Sequence, residues 1–281
     1  MRDKILDGKG LAKDIREKIK AEVNNIKIAK GIVPGLAVVL VGQDPASVSY
    51  VSMKERACLE GGFYSEVHRL DEDTSQGEIL SLIDELNNND KIHGILVQLP
   101  LPGNIDEKIV NERIEPKKDV DGFNPINLGK LFLKTPGFIP CTPKGIIRLL
   151  KHYDISIEGK NAVVVGRSDI VGKPTATLLL HENATVTLCH SRTKNLSSYT
   201  KEADILVSAI GKPNFITSSM VKKGAIIIDA GTSKVGNKLV GDVDFQGVIE
   251  KVDKITPVPG GVGPMTIAML LENTLEAVLI K

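Results

Sequence analysis

The 281-residue sequence has no tryptophan, and aromatic residues make up only 4% of it. That argues against a surface on which nucleic-acid bases stack. An excess of one charge is missing too: 36 Lys and Arg stand against 35 Asp and Glu, a formal +1. No field of that size draws nucleic acid or an anionic membrane. Cysteine is scarce and scattered. Cys58, Cys141 and Cys189 form no C-x-x-C pair, and the five histidines show no H-E-x-x-H spacing. Neither a disulfide framework nor a metal site is expected. Apolar runs such as Leu36–Val41 are strand length, far too short to span a bilayer. The stretch from Met1 to Gly10 holds no apolar signal core. These absences predict a cytoplasmic protein that binds no nucleic acid, no membrane and no metal.

What is present is alternation. Leu11, Ile15, Ile19, Val23 and Ile26 recur at helical spacing. Leu36–Val41 reads as a buried strand, Pro45 opens a helix that stops at Gly61-Gly62, and Phe63–Leu70 is a second strand. Ser75 and Glu78 form a capping box, and Ile92–Gln98 is a third strand stopped by Pro100 and Pro102. A helix from Thr142-Pro143 to His152 leads into a second series, with strands at Asn161–Gly166, Ala184–His190, Ala203–Ala209 and Ala225–Ala230. A final helix is expected over about Thr266–Ile280. Strands alternating with helices imply an α/β protein of two domains with parallel sheets. The second is Rossmann-like and dinucleotide-binding, and a cleft between the two is the natural place for a small molecule. The boundaries are set at 1–140 plus the C-terminal helix 266–281 for the first domain and 141–265 for the second.

Chemistry concentrates at a few points. Tyr50 and Lys54 are four residues apart on one helix face, with Ser47 a turn earlier. A phenol and a hydroxyl can hold an amine that serves as acid or base near neutrality. By itself this spacing is more often a surface lysine packed on a tyrosine. Gln98 lies at the C-terminal end of its strand, and the Lys54 helix begins after the same end of another, so Gln98 could reach Lys54. Lys118-Asp119-Val120-Asp121 adds two carboxylates. Asp121 can accept a fork of hydrogen bonds from an amidine-like ring, although an Asp-Gly turn is the plainer reading. In the second series, Gly166-Arg167-Ser168-Asp169-Ile170-Val171-Gly172 follows a strand and opens a helix, as a pyrophosphate site does. The next strand ends in His190-Ser191-Arg192-Thr193 with no acid. Together with Arg167 these donors suit a 2′-phosphate, favouring NADP over NAD. Thr256–Thr266 is dense in Gly and Pro, either a rigid loop close to a ligand or a connector.

Taken together and in order, these segments closely resemble the bifunctional methylenetetrahydrofolate dehydrogenase/methenyltetrahydrofolate cyclohydrolase family. The matching stretches are Ser47-x-x-Tyr50-x-x-x-Lys54, Gln98-Leu99-Pro100-Leu101-Pro102, Lys118–Phe123, Pro140–Pro143, Gly166–Pro174, His190–Thr193 and Pro257–Thr266. They span nearly the whole chain. The resemblance implies one site and two reactions, with NADP as cofactor and tetrahydrofolate derivatives as substrates. Lys54, Tyr50, Gln98 and Asp121 are implied as catalytic. Tyr50, Ser47, Leu99, Pro100, Asp121, Pro259, Gly260 and Gly261 are implied to meet the folate. Gly166, Arg167, Ser168, Val171, Gly172, Ser191, Arg192 and Thr232 are implied to meet the cofactor. Thr232 stands where the family often has an aliphatic residue. A homodimer is also implied.

Three other readings compete. Short-chain dehydrogenases share Tyr-x-x-x-Lys, but there the glycine turn precedes the pair, and here Tyr50 comes long before Gly166. A monofunctional dehydrogenase of the same family, or a non-catalytic folate- or nucleotide-binding regulator, would need neither Lys54 nor Gln98.

Overall fold

The computed structural model describes residues 2–236 and 238–279. Ile280, where the final helix was expected to end, lies outside them. The chain divides into two compact units, Met1–Lys13 with Thr142–Thr266, and Asp14–Cys141 with Ile267–Lys281. The divisions fall inside the helices α1 (Gly8–Lys30), α6 (Cys141–His152) and α10 (Val262–Leu279).

The unit of residues 14–141 and 267–281 carries a three-stranded parallel sheet. Its elements are β1 (Gly35–Val41), α2 (Pro45–Gly61), β2 (Tyr64–Leu70), α3 (Gln76–Asn88), β3 (Gly94–Val97), α4 (Glu107–Arg113) and α5 (Pro125–Phe132). The strand order is β2-β1-β3. Every residue of β1 is buried, as expected of an apolar strand covered on both faces. One of those faces, Ala37, Val39 and Val41, packs in a cluster with Ile79, Ile83 and Leu86 of α3. Local signals set the helix ends. Asp44 caps α2 by accepting from the Ser47 amide at 2.8 Å, and Pro45 fills the first turn. Gly62 ends α2 at φ +80°, a conformation glycine adopts freely. The Ser75–Glu78 capping box of α3 is formed in both directions.

The other unit carries five parallel strands in the order β10-β7-β6-β4-β5. In chain order these are β4 (Asn161–Val165), α7 (Gly172–His181), β5 (Thr185–Cys189), α8 (Leu196–Thr200), β6 (Ile205–Ser208), β7 (Ile226–Asp229), a β8–β9 hairpin (Ser233–Val235, Lys238–Val240), α9 (Phe245–Val248) and β10 (Lys254–Ile255). Taking β4 as first, the sheet reads 2-1-3-4-5, a doubly wound order whose direction switches between β4 and β6. The N-terminal segment belongs here rather than with the first half. Ile5 bridges Ile255, the Leu6 amide donates to the Ile255 carbonyl at 2.9 Å, and the Asp7 amide donates to the Tyr153 hydroxyl at 2.8 Å.

The helix α10 starts at Val262 rather than Thr266. Pro264 falls in its first turn, where no intrahelical N–H is needed. By length and composition alone it could cross a membrane, but 61% of it is buried inside the protein, as befits a core helix. Cys58, Cys141 and Cys189 are buried and form no disulfide.

Candidate active site

In the three-stranded sheet β1 feeds α2 and β2 on one side, while β3 lies on the other. The C-terminal ends of β1 and β3 therefore flank a topological switch point, the usual ligand edge of such sheets. The buried face of α2 is Ser47, Val51, Lys54, Ala57, Cys58 and Gly61. Lys54 is only 8% exposed, and an ammonium that enclosed needs a partner. Gln98 supplies it: Lys54 Nζ donates to Gln98 Oε1 at 2.9 Å. Two further bonds fix Gln98. Its amide N–H donates to the Val39 carbonyl at 2.8 Å, prolonging the sheet ladder, and its Nε2 donates to the Leu99 carbonyl at 2.6 Å. With Nε2 committed, the oxygen is the atom left to face the lysine.

The two carboxylates of the Lys118–Asp121 stretch do different things. Asp119 is 1% exposed and folds the loop. Its Oδ1 accepts from the amides of Gly122 and Phe123, and its Oδ2 accepts from the Asn124 amide and Asn127 Nδ2. Burial nevertheless pushes its carboxyl up to about 7. Asp121 is only partly exposed. Burial raises its carboxyl above the usual range, and the Lys54 ammonium works against that rise. An amine, an amide and a carboxylate thus share one electrostatic neighbourhood. Gly122, at φ +75°, lets the loop pass: a Cβ there would lie 2.6 Å from the Pro140 nitrogen. Tyr50 sits one turn before Lys54, partly exposed, and Ser47 is buried. Leu99 and Pro100, joined by a cis peptide, follow Gln98 directly. Cys58, one turn after Lys54, has a thiol that burial pushes up to about 12, so it stays protonated and inert.

One residue of this neighbourhood had no sequence signal. Asn273, fully buried on α10, donates from Nδ2 to the carbonyls of Val120 at 2.8 Å and Ile139 at 3.0 Å. The Cys141 thiol donates to the same Val120 carbonyl at 3.3 Å. The residue immediately before Asp121 is therefore tied down twice.

The five-stranded unit has its own cavity at the β4/β6 switch point, about 410 Å³ in volume. Its walls are Val165, Gly166 and Arg167 after β4, His190, Ser191 and Thr193 after β5, and Ala209, Ile210, Lys212 and Phe215 after β6, with Leu196 nearby. Gly166 has φ +122°, and a Cβ on it would lie 2.2 Å from the Ala209 carbonyl oxygen. The two loops touch through backbone, which only glycine permits. Two cations, Arg167 and Lys212, and two hydroxyls line the space, with no carboxylate among the lining residues. That donor set fits an anionic dinucleotide bearing an additional phosphate.

Of the expected cofactor residues, Gly166, Arg167 and Ser191 line this cavity. Ser168, Val171 and Gly172 form the adjoining turn, where Ser168 Oγ accepts from the amides of Val171 and Gly172, both at 3.2 Å. Arg192 and Thr232 are exposed and do not line the cavity. The third wall, Ala209 to Phe215, was not anticipated. Pro259, Gly260 and Gly261 belong to this same unit. Gly261 packs tightly, a Cβ there lying 2.6 Å from the Pro257 carbonyl oxygen, and the Gly260 carbonyl accepts from the Lys9 amide at 2.8 Å. Among the described residues no group of three His, Cys, Asp or Glu side chains is arranged to hold a metal ion.

Comparison with known proteins agrees with this geometry. The catalytic domain of tetrahydrofolate dehydrogenase/cyclohydrolase matches residues 6–121, and the NAD(P)-binding domain of the same family matches residues 140–281. The bifunctional protein FolD of Moorella thermoacetica is 60% identical over 274 residues, covering 97% of this chain and 98% of the relative. The crystal structure of the bifunctional enzyme FolD from Campylobacter jejuni superposes with a TM-score of 0.96 at 52% identity, covering 98% of each chain. The Trypanosoma brucei dehydrogenase-cyclohydrolase, solved with NADP cofactor and an inhibitor, superposes with a TM-score of 0.94 at 38% identity, covering 98% of this chain and 97% of that one.

Proposed function

The chain belongs to the tetrahydrofolate dehydrogenase/cyclohydrolase family, and on that premise we propose a division of labour among its residues. The enzyme oxidises 5,10-methylenetetrahydrofolate to 5,10-methenyltetrahydrofolate with NADP and then hydrolyses the product to 10-formyltetrahydrofolate. Residues 14–141 and 267–281 hold the folate, and the cavity of the five-stranded unit holds NADP. Bound NADP supplies the hydride acceptor. Gly166, Arg167 and Ser191 hold it, joined by Lys212 and Thr193.

The oxidation asks mainly for position. Asp121 accepts hydrogen bonds from the amino-pyrimidine edge of the pterin, the fork geometry a carboxylate suits. Tyr50, Ser47, Leu99 and Pro100 shape the folate wall. The hydrolysis asks for protons. Water attacks the methenyl carbon, and Lys54 as free amine takes a proton from that water. A proton then reaches N5 as its bond to the one-carbon unit breaks and the carbonyl forms. The balance is one water consumed and one proton released. Gln98 holds the nitrogen in place through both steps.

The observation that carries this reading is the enclosed Lys54–Gln98 bond of 2.9 Å. An amine kept out of water and oriented by a fixed amide is equipment for proton transfer, which hydride transfer alone does not need. Location in the cytoplasm, a homodimeric state, and binding of folates rather than nucleic acid or membrane belong to the same proposal. The composition supports the binding preference, and light scattering tests the dimer.

Absorbance separates the readings. The protein with methylenetetrahydrofolate and NADP forms reduced nicotinamide, and with methenyltetrahydrofolate alone it removes the methenyl band. A protein that forms reduced nicotinamide but leaves the methenyl band at the buffer rate is a monofunctional dehydrogenase. One that does neither is a binding protein.

A further inference from the structure

The cofactor unit contains a buried carboxylate that the reaction does not use. Asp242 lies between the β8–β9 hairpin and α9, and is 0% exposed. Its Oδ1 accepts from the Lys212 amide at 2.8 Å. Its Oδ2 accepts from the Ile210 amide at 2.8 Å and from the Ser208 hydroxyl at 3.1 Å. All three donors belong to one short run, the end of β6 and the turn after it. That run is the unanticipated wall of the cavity, and its Ala209 carbonyl abuts Gly166.

The surroundings are shaped to hold this carboxylate. A Cβ on Gly231 would lie 2.2 Å from Asp242 Cγ, so glycine leaves the room it occupies. A second buried acid fixes its backbone. Asp229 Oδ1 accepts from the Asp242 amide at 3.0 Å and the Gly231 amide at 3.0 Å, and Oδ2 accepts from the Val243 amide at 2.9 Å. The Asp229 amide in turn donates to Thr256 Oγ1 at 2.7 Å. The ends of β6 and β7 and the segment 241–243 are thus joined by charge-assisted bonds to backbone, which are stronger than neutral ones.

We propose that Asp242 is a positioning residue for NADP: its carboxylate sets the Ala209–Lys212 turn against the Gly166 turn and so fixes the cavity wall the dinucleotide must meet. It touches no reacting atom. The proposal rests on the reading that this cavity is the NADP site. An acceptor at both oxygens is essential, because all three partners donate. An amide of the same shape would aim its own N–H groups at a donor and release one end of the turn.

The experiment measures NADP affinity by calorimetry on four proteins, with the NADP-independent hydrolysis of methenyltetrahydrofolate as a second readout. Gly166→Ala tests the cavity, and Asp242→Asn tests the positioning. The expected result for Asp242→Asn is a rise in the NADP Kd of about tenfold or more, with a matching rise in KM and hydrolysis within about twofold of wild type. Ser208→Ala removes one donor only and is expected to raise the Kd by about two- to fivefold, again with hydrolysis intact. If Gly166→Ala binds NADP as wild type does, the cavity is not the cofactor site. If Gly166→Ala is impaired while Asp242→Asn binds normally, the cavity stands and the positioning role is overturned. If Asp242→Asn loses both readouts together, Ser208→Ala decides: an unchanged Kd there overturns the proposal.

Discussion

The two units open on the same plan and reach opposite kinds of site. In each, a buried parallel strand runs into a turn and a helix, returns as a second strand on one side, and finds a third strand on the other. In the first unit these are β1, α2, β2 and β3. In the other they are β4, α7, β5 and β6. After β1 the chain is stopped by the Asp44 cap, and α2 turns an amine inward to meet Gln98 at the end of β3. Both first strands run into a glycine at positive φ, Gly42 and Gly166, but only Gly166 has its backbone pressed against the neighbouring strand end, at Ala209. One switch point presents an enclosed amine and its amide partner, the groups proposed to handle protons. The other presents close-packed backbone and two cations, the groups proposed to hold NADP. Topology supplies the edge, and what the turn and helix after the first strand bring to that edge decides what kind of chemistry it offers.

Both units also brace their site with a buried aspartate. Asp119 folds the loop that carries Asp121, and Asp242 gathers the turn that faces Gly166. In the first unit a second acid, Asp121, is the one proposed to meet a ligand. In the other, both acids are taken up by backbone amides and the Ser208 hydroxyl.

This contrast makes the two sites separately breakable. The largest effect is expected from Gly166→Ala, whose Cβ would strike the Ala209 carbonyl oxygen at 2.2 Å. NADP affinity should fall by about 100-fold or more while hydrolysis of methenyltetrahydrofolate continues, and loss of both would show that the sites are not independent. Next is Asp121→Ala. Folate KM should rise by roughly 10- to 100-fold, from loss of a charge-assisted fork, with the NADP Kd unmoved; an unchanged folate KM would remove the clamp role. Asn273→Ala takes the side-chain donor from the Ile139 carbonyl and leaves the Val120 carbonyl with the weak Cys141 thiol. Chemical denaturation should show a loss of about 1–3 kcal/mol, and a neutral result would mean that water or Cys141 replaces it.

The smallest effect concerns pH. Burial raises the Asp119 carboxyl to about 7 and the Asp229 carboxyl to about 6. Each therefore holds its proton longer folded than unfolded. Stability from this source is full below about pH 3.8 and is lost as pH rises, through about 6 for Asp229 and about 7 for Asp119. Carboxyls held low by surface partners, such as Asp84 beside Arg113 and Glu78 at its cap, act with the opposite sign, but only in more acid solution. Between pH 5 and pH 6 unfolding free energy should fall by at most about 1.4 kcal/mol per buried aspartate. A rise over that interval in urea titrations would contradict the assignment.

Much of this was legible in the sequence because its signals are local. Strand-length apolar runs, the Pro45 helix start, the Ser75–Glu78 box and Gly62 each act over a few residues, and the structure has all of them. Lys54 and Gln98 were readable as neighbours because strand ends on one edge of a parallel sheet converge. Asn273 was not, since it reaches Val120 across 153 positions from a helix whose pattern says only that it is buried. Asp121 was singled out over Asp119, but nothing local said that Asp119 would fold the loop. Asp242 carried no signal, because its three donors lie some thirty residues upstream. The pairing of Ile5 with Ile255 had no signal either, because it crosses almost the whole chain.

On the proposed mechanism Lys54 carries the protons of hydrolysis and takes no part in binding NADP. Lys54→Met, assayed for methenyltetrahydrofolate hydrolysis and titrated with NADP, is the deciding variant. A fall of about 10²- to 10⁴-fold in hydrolysis with the NADP Kd within about twofold of wild type is the predicted result, and hydrolysis at near the wild-type rate would contradict it.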